Sequence, residues 1–379
     1  MGKPKTIYFT VTNNLSYDQR MQRICSSMAK AGYKVVLVGR TMPGSIPLTS
    51  QPFTQKRLPV WFQKGKTFYI EYNLRLFFFL FFKKMDAICA IDLDTILPCL
   101  FISKIKGIKR VYDAHELFTE LKEVMSRPKI HRFWMWVEKT CVPKFTNGYT
   151  VNLFITQELQ RRYGVIYDVV RNLPVSASVN ETANQQLQDK YHLPTSNFFL
   201  YQGAVNEGRS FETLIPAMQY VNATLVIAGD GNFMGEVKRL IIEYKVEDKI
   251  ICLGAVPPNE LRLITPLAYY GLTLFESTGL NQYYSLANRF FDYIQGGIPQ
   301  LCVAYPEYEA INSQYNIAAL ISDLSPESLG TRMNHLLGDD VLYNELKSNC
   351  HKAARELCWE NEQEKLWAFY NNSIFTNNQ

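Results

Sequence analysis

Short apolar runs alternate with longer amphipathic stretches from the start of the chain. Ile7–Val11 predicts a strand, and Asp18–Ala31 predicts a helix that ends before Gly32. Lys34–Val38 predicts the next strand, and the alternation continues with the apolar run Ala87–Ile91. Strands that alternate with helices in this way favour an α/β protein with a doubly wound parallel sheet.

A second series of the same kind begins at Phe198. It follows a segment, up to about residue 188, that is rich in Ser, Thr, Asn and Gln and predicts a linker. A chain of 379 residues also exceeds what one hydrophobic core usually serves. We therefore predict two Rossmann-like domains, over residues 1–175 and 190–359. A helix over about 360–379 is a candidate to pack back on the first domain.

The composition is that of an ordinary globular protein, with 47% hydrophobic and 20% charged residues. A net charge of +5 without a dense Lys/Arg arm argues against a nucleic-acid partner. Eight scattered cysteines without a Cys-x-x-Cys pair lead us to expect buried thiols, a reducing cytosol and no metal site. No signal peptide is recognisable, and the most apolar run, Leu74–Phe82, is too short to span a bilayer. These features predict a cytoplasmic protein and leave its oligomeric state open.

Two segments, Leu74–Lys84 and Arg127–Trp136, combine aromatic and basic residues. Such segments fit a peripheral contact with the inner face of the cell membrane. Helices buried within the protein explain them nearly as well, so both interpretations stay open.

The segment Gln202–Ser210 follows a predicted strand and precedes a predicted helix. Gly203 lets the backbone approach an oxyanion, and Arg209 can bind phosphate through two hydrogen bonds. The next strand ends in a second glycine turn, Gly229-Asp-Gly231. Each turn alone is common in doubly wound sheets, but their succession predicts a phosphate-binding corner.

A third candidate element follows the loop Phe275–Leu280. It is a predicted helix with Asn288 and Arg289 at its start and Asp292 one turn later. The start of a helix can face a diphosphate, and a carboxylate one turn later can accept hydrogen bonds from the two hydroxyl groups of a ribose. These residues are therefore candidates to bind a nucleotide.

In the first half of the chain, the polar cluster Asp113-Ala-His115-Glu116 directly follows a predicted strand. Ligands of open α/β sheets bind beyond the carboxyl ends of strands, so His115 is a candidate functional residue. The alternative is a histidine that only forms a hydrogen bond with Asp113 or Glu116.

Two further pairs of charged residues have simpler interpretations. Asp18 and Arg20 are expected to form a charge pair at the start of a helix, and contact with a ligand is the less favoured alternative. Asp92 and Asp94 are expected to cap the helix that follows them.

Taken in order, these segments resemble the retaining glycosyltransferases of family four, and specifically a bacterial subgroup involved in surface polysaccharides. The resemblance covers essentially the whole chain. The matching pieces are Tyr17-Asp-Gln-Arg20, Asp92-Leu-Asp-Thr95, Tyr112-Asp-Ala-His-Glu116, Gly203 through Arg209, Ala228-Gly-Asp-Gly231, Gly254, Asn288-Arg-Phe-Phe-Asp-Tyr293 and Gly297-Ile-Pro299.

The resemblance implies a GT-B fold, in which two facing domains leave a cleft. It implies transfer of a hexosyl group from a nucleotide-diphosphate sugar to a saccharide or lipid-linked acceptor, with retained configuration and without a metal ion or cofactor. Arg209 would face the diphosphate, Asp292 the ribose and His115 the transferred sugar, so His115 and Arg209 are the expected catalytic residues. The expected donor-binding residues are Gly203, Arg209, Gly229, Gly231, Gly254, Glu276, Asn288, Arg289 and Asp292.

The chain departs from the family's pattern at two positions. The family usually has two glutamates separated by seven residues, where this chain has Tyr284 and Asp292, and Glu276 is the candidate to supply the missing carboxylate. Ala204 stands where an arginine is usual, which leaves Arg209 as the principal cation of the phosphate loop. Two other functions stay open: a sugar-nucleotide epimerase on the same architecture, and a non-catalytic scaffold whose donor site has decayed.

Overall fold

The computed structural model describes residues 3–16, 18–176, 181–277 and 279–375, and for 181–185 the backbone alone. Tyr17 and Thr278, which belong to segments singled out above, lie outside the described residues. The chain divides into two compact units, Met1–Asn172 with Glu362–Gln379, and Leu173–Asn361. The first unit therefore ends at Asn172, and the chain returns to it at Glu362.

The first unit contains a parallel sheet. Its strands, within the described chain, are β1 (Thr6–Thr10), β2 (Lys34–Arg40), β3 (Thr54–Leu58), β4 (Ala87–Ile91), β5 (Lys109–Ala114), β6 (Gly148–Thr150) and β7 (Asp168–Val169). They are ordered β3-β2-β1-β4-β5-β6-β7. The helices between them are α1 (Gln19–Lys30), α2 (Gly65–Phe81), α3 (Ile96–Lys106), α4 (Lys122–Met125), α5 (Pro128–Cys141) and α6 (Leu153–Tyr163).

The second unit repeats this architecture. Its described strands are β8 (Phe198–Gln202), β9 (Thr224–Ala228), β10 (Ile250–Gly254), β11 (Tyr270–Thr273), β12 (Gln300–Val303) and β13 (Ala318–Ile321), in the parallel order β10-β9-β8-β11-β12-β13. The remaining helices are α7 (Glu181–Lys190), α8 (Phe211–Ala217), α9 (Met234–Glu243), α10 (Pro258–Ile264), α11 (Leu280–Tyr283), α12 (Asn288–Gln295), α13 (Pro306–Tyr315), α14 (Pro326–Gly338), α15 (Asp340–Glu356) and α16 (Trp359–Phe369).

Local sequence explains why these elements form where they do. The strands β4 and β8 are buried at every position, which is why they appear in the sequence as continuous apolar runs. The carboxylate of Asp18 accepts a hydrogen bond from the backbone N–H of Met21 and so caps α1. Gly107 ends α3 in the left-handed conformation that glycine adopts without strain. The predicted α/β class with two Rossmann-like parallel sheets is confirmed.

The segment predicted to be a linker forms a helix over much of its length, so that prediction was wrong. Residues 177–180 lie outside the described chain, but α7 begins at Glu181. Leu187 in α7 and Leu193 beyond it belong to an apolar cluster with Ile264 of α10. A single buried leucine is enough to pack a mostly polar helix against the second unit, and the composition of the segment does not reveal that contact.

The C-terminal segment of the described chain packs into the first unit. Tyr370, which follows α16 in a π-helical turn, is fully buried and lies against the rings of Phe9 and Tyr149. The indole N–H of Trp367 donates a hydrogen bond to the backbone carbonyl of Ser27 at 2.9 Å. These contacts make the segment from Glu362 onward part of the first unit.

Each sheet has one point where the direction of strand succession reverses. This point lies between β1 and β4 in the first unit and between β8 and β11 in the second. Loops that leave the carboxyl ends of these strands diverge, and the crevice between them is where open α/β sheets bind ligands. No helix among the described residues is both long and apolar enough to cross a membrane.

Candidate functional site

Two loops meet at the carboxyl edge of the second sheet, beside its reversal point. The loop after β8 begins with Gly203, whose φ of +117° is open to glycine and strained for other residues. The backbone N–H of Glu276, after β11, donates a hydrogen bond to the carbonyl of Gly208 at 3.2 Å. Two segments singled out from the sequence therefore lie side by side.

Two arginines lie against one aromatic ring at this edge. The guanidinium carbons of Arg209 and Arg289 are 4.6 Å and 4.7 Å from the centroid of the Phe275 ring. Arg289 is only 7% exposed, lies 4.3 Å from the centroid of the Tyr201 ring, and donates a hydrogen bond to the carbonyl of Gln202 at 3.1 Å. Two positive charges from distant parts of the sequence thus gather where an anionic ligand would be stabilised.

Asp292 is connected to the end of β8 by hydrogen bonds. The side-chain N–H of Gln202 donates to Oδ2 of Asp292 at 3.2 Å, and the Oε1 of Gln202 accepts from the hydroxyl of Thr265 at 2.8 Å. These two hydrogen bonds in series fix the orientation of the Asp292 carboxylate, which is partly buried. Sequence reasoning missed both partners: a polar last residue in the apolar run of β8 was a signal for Gln202, and nothing local pointed to Thr265.

Gly229 and Gly231 have a packing role. A Cβ at Gly229 would lie 1.8 Å from the carbonyl oxygen of Gly203, and one at Gly231 would lie 2.2 Å from that of Val205. The two loops are also joined by a hydrogen bond from the N–H of Val205 to the carbonyl of Asp230, at 3.0 Å. The glycines therefore allow one loop to approach the other, whereas the sequence suggested only the approach of a ligand.

The remaining predicted donor-site residues lie at the same edge or at the start of α12. Gly254 ends β10 with a φ of +69°, and no atom lies within 4 Å of where its Cβ would stand, so backbone conformation alone favours glycine. Asn288 is the exposed first residue of α12. Burial raises the pKa of Tyr305, and the charge of Glu276 raises it further, which indicates that these side chains lie near each other.

A second polar group lies at the carboxyl edge of the first sheet. Arg20 forms a salt bridge with Asp113 at 2.9 Å, and the two side chains are 7% and 0% exposed. The Nε–H of Arg20 also donates a hydrogen bond to Nε2 of His115 at 2.8 Å. His115 lies between two carboxylates, with Nε2 at 3.2 Å from Asp113 and Nδ1 at 3.5 Å from Asp92. The structure therefore brings His115 into a network of four charged or titratable groups.

The electrostatics of this network favour a charged histidine. Burial opposes charge on His115, but the carboxylates of Asp113 and Asp92 outweigh it, and the pKa of His115 is raised. Burial also acts to raise the pKa of Asp113, but Arg20 and His115 reverse this and lower it. The Nε–H of Arg20 points at Nε2 of His115 and disfavours a proton on that nitrogen, so Arg20 partly offsets the rise in the pKa of His115.

Three of the simpler expectations about charged residues were wrong. Arg20 pairs with Asp113 and not with Asp18. Asp92 forms no side-chain capping bond, and its Oδ1 accepts instead from the backbone N–H of His115 at 2.8 Å. Asp94 likewise accepts from the hydroxyl of Thr12 at 2.6 Å, and burial raises the pKa of Asp94 to about 7. Arguments from local spacing could not include these partners, because neighbouring strands supply them.

Within the part of the chain that the structure describes, no group of three or more His, Cys, Asp or Glu side chains is arranged to hold a metal ion. Seven cysteines are buried, Cys252 is partly exposed, and all eight are free thiols.

Comparisons with known proteins support the architecture. No protein-family model matches the chain, and no curated protein matches it. Sucrose-phosphate synthase from Thermosynechococcus elongatus is similar with a TM-score of 0.80 at 15% identity, covering 97% of this chain and 98% of that one. A glycosyltransferase from Rickettsia africae gives a TM-score of 0.76 at 12% identity, covering 99% and 100%. Anabaena Alr3699/HepE, in complex with UDP and glucose, gives 0.75 at 12% identity, covering 96% and 98%.

At these identities the likeness establishes the fold, which is that of the GT-B proteins. Proteins of this fold do not all transfer sugars. A Listeria monocytogenes protein assigned as a UDP-N-acetylglucosamine 2-epimerase matches with a TM-score of 0.67 at 10% identity, covering 99% of this chain and 98% of that one. The chemistry therefore depends on the side chains at the site and not on the fold.

Proposed function

We propose that the protein is a retaining glycosyltransferase that moves a hexosyl group from a nucleotide-diphosphate sugar to a saccharide or lipid-linked acceptor in surface polysaccharide biosynthesis. The observation that carries this proposal is the pair Arg209 and Arg289 on the ring of Phe275, beside the glycine loop after β8. The HepE complexes contain UDP or UDP-glucose, which supports a nucleotide-sugar donor for a chain of this fold.

Cleavage of the donor breaks the bond between the anomeric carbon and the diphosphate oxygen. Positive charge then develops on the sugar and negative charge on the leaving diphosphate. Arg209 and Arg289 would stabilise that negative charge. This electrostatic stabilisation is largest in a site from which water is excluded. Asp292, oriented by Gln202, would accept hydrogen bonds from the ribose hydroxyls and so position the nucleotide.

Transfer with retention needs no protein nucleophile in this proposal. The acceptor oxygen bonds to the anomeric carbon on the face that the diphosphate leaves, and the acceptor's proton passes to the leaving phosphate oxygen. His115 would hold a hydroxyl group of the transferred sugar, and the two carboxylates beside it, which raise its pKa, would orient the imidazole. Analysis of the product's anomeric configuration by NMR tests retention directly.

Thermal unfolding with a panel of nucleoside diphosphates tests the donor site. A ligand that binds only the folded state at 100 times its Kd stabilises it by about 2.7 kcal/mol. We expect one base to raise the Tm, and we expect this rise to be lost in Arg209→Ala and in Asp292→Ala. Arg239→Ala is the matched control, because Arg239 is an exposed arginine of α9 that forms surface salt bridges with Glu236 and Glu243. The control variant should respond as the wild type does.

The same experiments separate the two alternative functions. A nucleotide sugar incubated without acceptor would be converted to its epimer by an epimerase, whereas a glycosyltransferase leaves its configuration unchanged. A protein that no nucleoside diphosphate stabilises would instead fit a scaffold with a decayed donor site.

A further inference from the structure

The helix α2 carries two rows of large apolar side chains on opposite sides. The buried row, with a spacing of four residues, is Phe68, Tyr72, Leu76 and Leu80. The exposed row has the same spacing and consists of Ile70, Leu74, Phe78 and Phe82, the last of which directly follows the helix, with exposures of 60%, 54%, 59% and 78%. An offset of two residues turns about 200° around a helix, so one row lies opposite the other. The core covers only one of them.

The exposed row, which we call the α2 face (Ile70, Leu74, Phe78 and Phe82), has further exposed apolar neighbours. Phe81 is 41% exposed, and Phe101 and Ile105 of α3 are 53% and 58% exposed. The helices α2 and α3 pack together, and the ammonium group of Lys106 donates a hydrogen bond to the carbonyl of Phe81 at 2.7 Å. Such a concentration of exposed aromatic and aliphatic side chains indicates an interaction surface.

Trp61, just before α2, is 83% exposed and yet held in place. The carboxylate of Glu71 accepts hydrogen bonds from the backbone N–H groups of Trp61 and Phe62, at 3.0 Å and 2.9 Å. The guanidinium group of Arg75 lies 4.6 Å from the centroid of the Trp61 indole and forms a salt bridge with Glu71 at 2.8 Å. An indole that is fixed in solvent is ready to contact a partner, because no ordering is needed on binding.

Basic residues predominate around the α2 face. Between Trp61 and Lys84 the basic residues are Lys64, Lys66, Arg75, Lys83 and Lys84, and the sole acidic residue is Glu71. Arg75 already neutralises Glu71, whereas Lys83 and Lys84 are exposed directly after Phe82. The helix α3 adds Lys104 and Lys106 without an acidic residue.

We propose that the α2 face and Trp61 dock the first unit on an anionic lipid surface, with α2 lying in the interface and not crossing it. Apolar side chains that enter the headgroup region, an indole at its boundary and lysines at the level of the phosphates are the elements of such a contact. A second copy of the chain fits less well, because a face edged by lysines would meet the same charges on its partner. This surface would hold the protein at a membrane, and none of its residues is among those proposed to take part in the transfer reaction.

Sedimentation of the full chain with lipid vesicles tests the proposal. We expect the protein to pellet with vesicles of phosphatidylcholine and phosphatidylglycerol at low salt, to be released by high salt, and to bind phosphatidylcholine alone weakly. Loss of two apolar anchors in Phe78→Ser/Phe82→Ser should weaken binding by about tenfold or more. Lys83→Glu/Lys84→Glu should remove the preference for anionic vesicles.

Matched controls come from the second unit. Ile242 and Val341 are 66% and 81% exposed, so Ile242→Ser/Val341→Ser removes comparable exposed apolar area and should leave binding unchanged. Wild type that stays in solution with anionic vesicles at low salt, or a Phe78→Ser/Phe82→Ser variant that binds as wild type does, would overturn the proposal. A lipid-free wild-type dimer that becomes monomeric in this variant, measured by analytical ultracentrifugation, would assign the face to a second copy instead.

Discussion

Replacement of Arg20 by methionine tests the buried network of the first sheet. The salt bridge to Asp113 is 2.9 Å long between side chains that are 7% and 0% exposed. Methionine keeps much of the aliphatic volume but leaves the Asp113 carboxylate in the interior without this cation. Removal of one partner from a buried ion pair typically costs about 3–5 kcal/mol, so we expect the free energy of unfolding of the first unit to fall by that amount.

The loss should depend on pH in a direction that the structure fixes. Without Arg20, the cation that remains beside Asp113 among the described residues is a protonated His115, whose Nε2 lies 3.2 Å from the carboxylate. Arg20 lowers the pKa of His115, so the pKa should rise further in the variant. A histidine with a raised pKa contributes stability below that pKa and loses it as the pH increases. Arg20→Met should therefore become less stable as the solution is made alkaline.

Urea unfolding followed by tryptophan fluorescence reports mainly on the relevant unit. Trp61, Trp134, Trp136 and Trp367 lie in the first unit, and Trp359 lies in the second. Because two units need not unfold together, each transition is fitted separately.

The controls separate burial of charge from simple loss of an arginine. Arg75→Met removes the partner of Glu71 from a more exposed pair and should cost less. The double variant Arg20→Met/Asp113→Asn should recover stability, because it leaves no stranded charge. A loss below about 1 kcal/mol for Arg20→Met, the size expected of a surface pair, would show that Asp113 is not left as an uncompensated buried charge.

Three further predictions concern single residues. The pKa of Asp94 is raised from 3.8 to about 7. Between these pH values the folded state holds a proton that the unfolded state has lost, so the free energy of unfolding falls as the pH rises. Asp94→Asn should remove this part of the pH dependence, measured by urea unfolding. Asp92→Asn should lower the pKa of His115, measured by NMR titration, because the Asp92 carboxylate raises it. Gly229→Ala should lower the Tm and weaken nucleotide binding, because the new Cβ would lie 1.8 Å from a carbonyl oxygen. The control Gly235→Ala places a Cβ in open space on helix α9 and should be neutral or stabilising by up to about 1 kcal/mol.

The parts of the fold that the sequence predicted are those in which local pattern and burial coincide. The strand β8 is buried on both faces of its sheet, so its sequence is a continuous apolar run that predicts a strand. The helix α2 shows the opposite case: apolar rows on both sides give it no helical periodicity, and the sequence could not decide between burial and exposure.

The candidate sites were predictable as positions and less so as contacts. His115 and Gly203 follow strands, so their place at a carboxyl edge could be inferred from chain order alone. The partners of His115 could not be inferred in this way, because Arg20 comes from helix α1 and Asp92 from the position directly after strand β4. Likewise, the glycine at position 229 has its steric reason in another loop.

The return of the C-terminal segment to the first unit affects how the chain can fold during synthesis. The ring of Tyr370 and the indole of Trp367 complete the packing around α1 and β1, yet they leave the ribosome only after the whole second unit has emerged. The unit that is synthesised first therefore cannot be the first to be completed. Until these residues emerge, the nascent first unit lacks the aromatic packing that they supply, and truncation before Trp367 should destabilise the first unit more than the second.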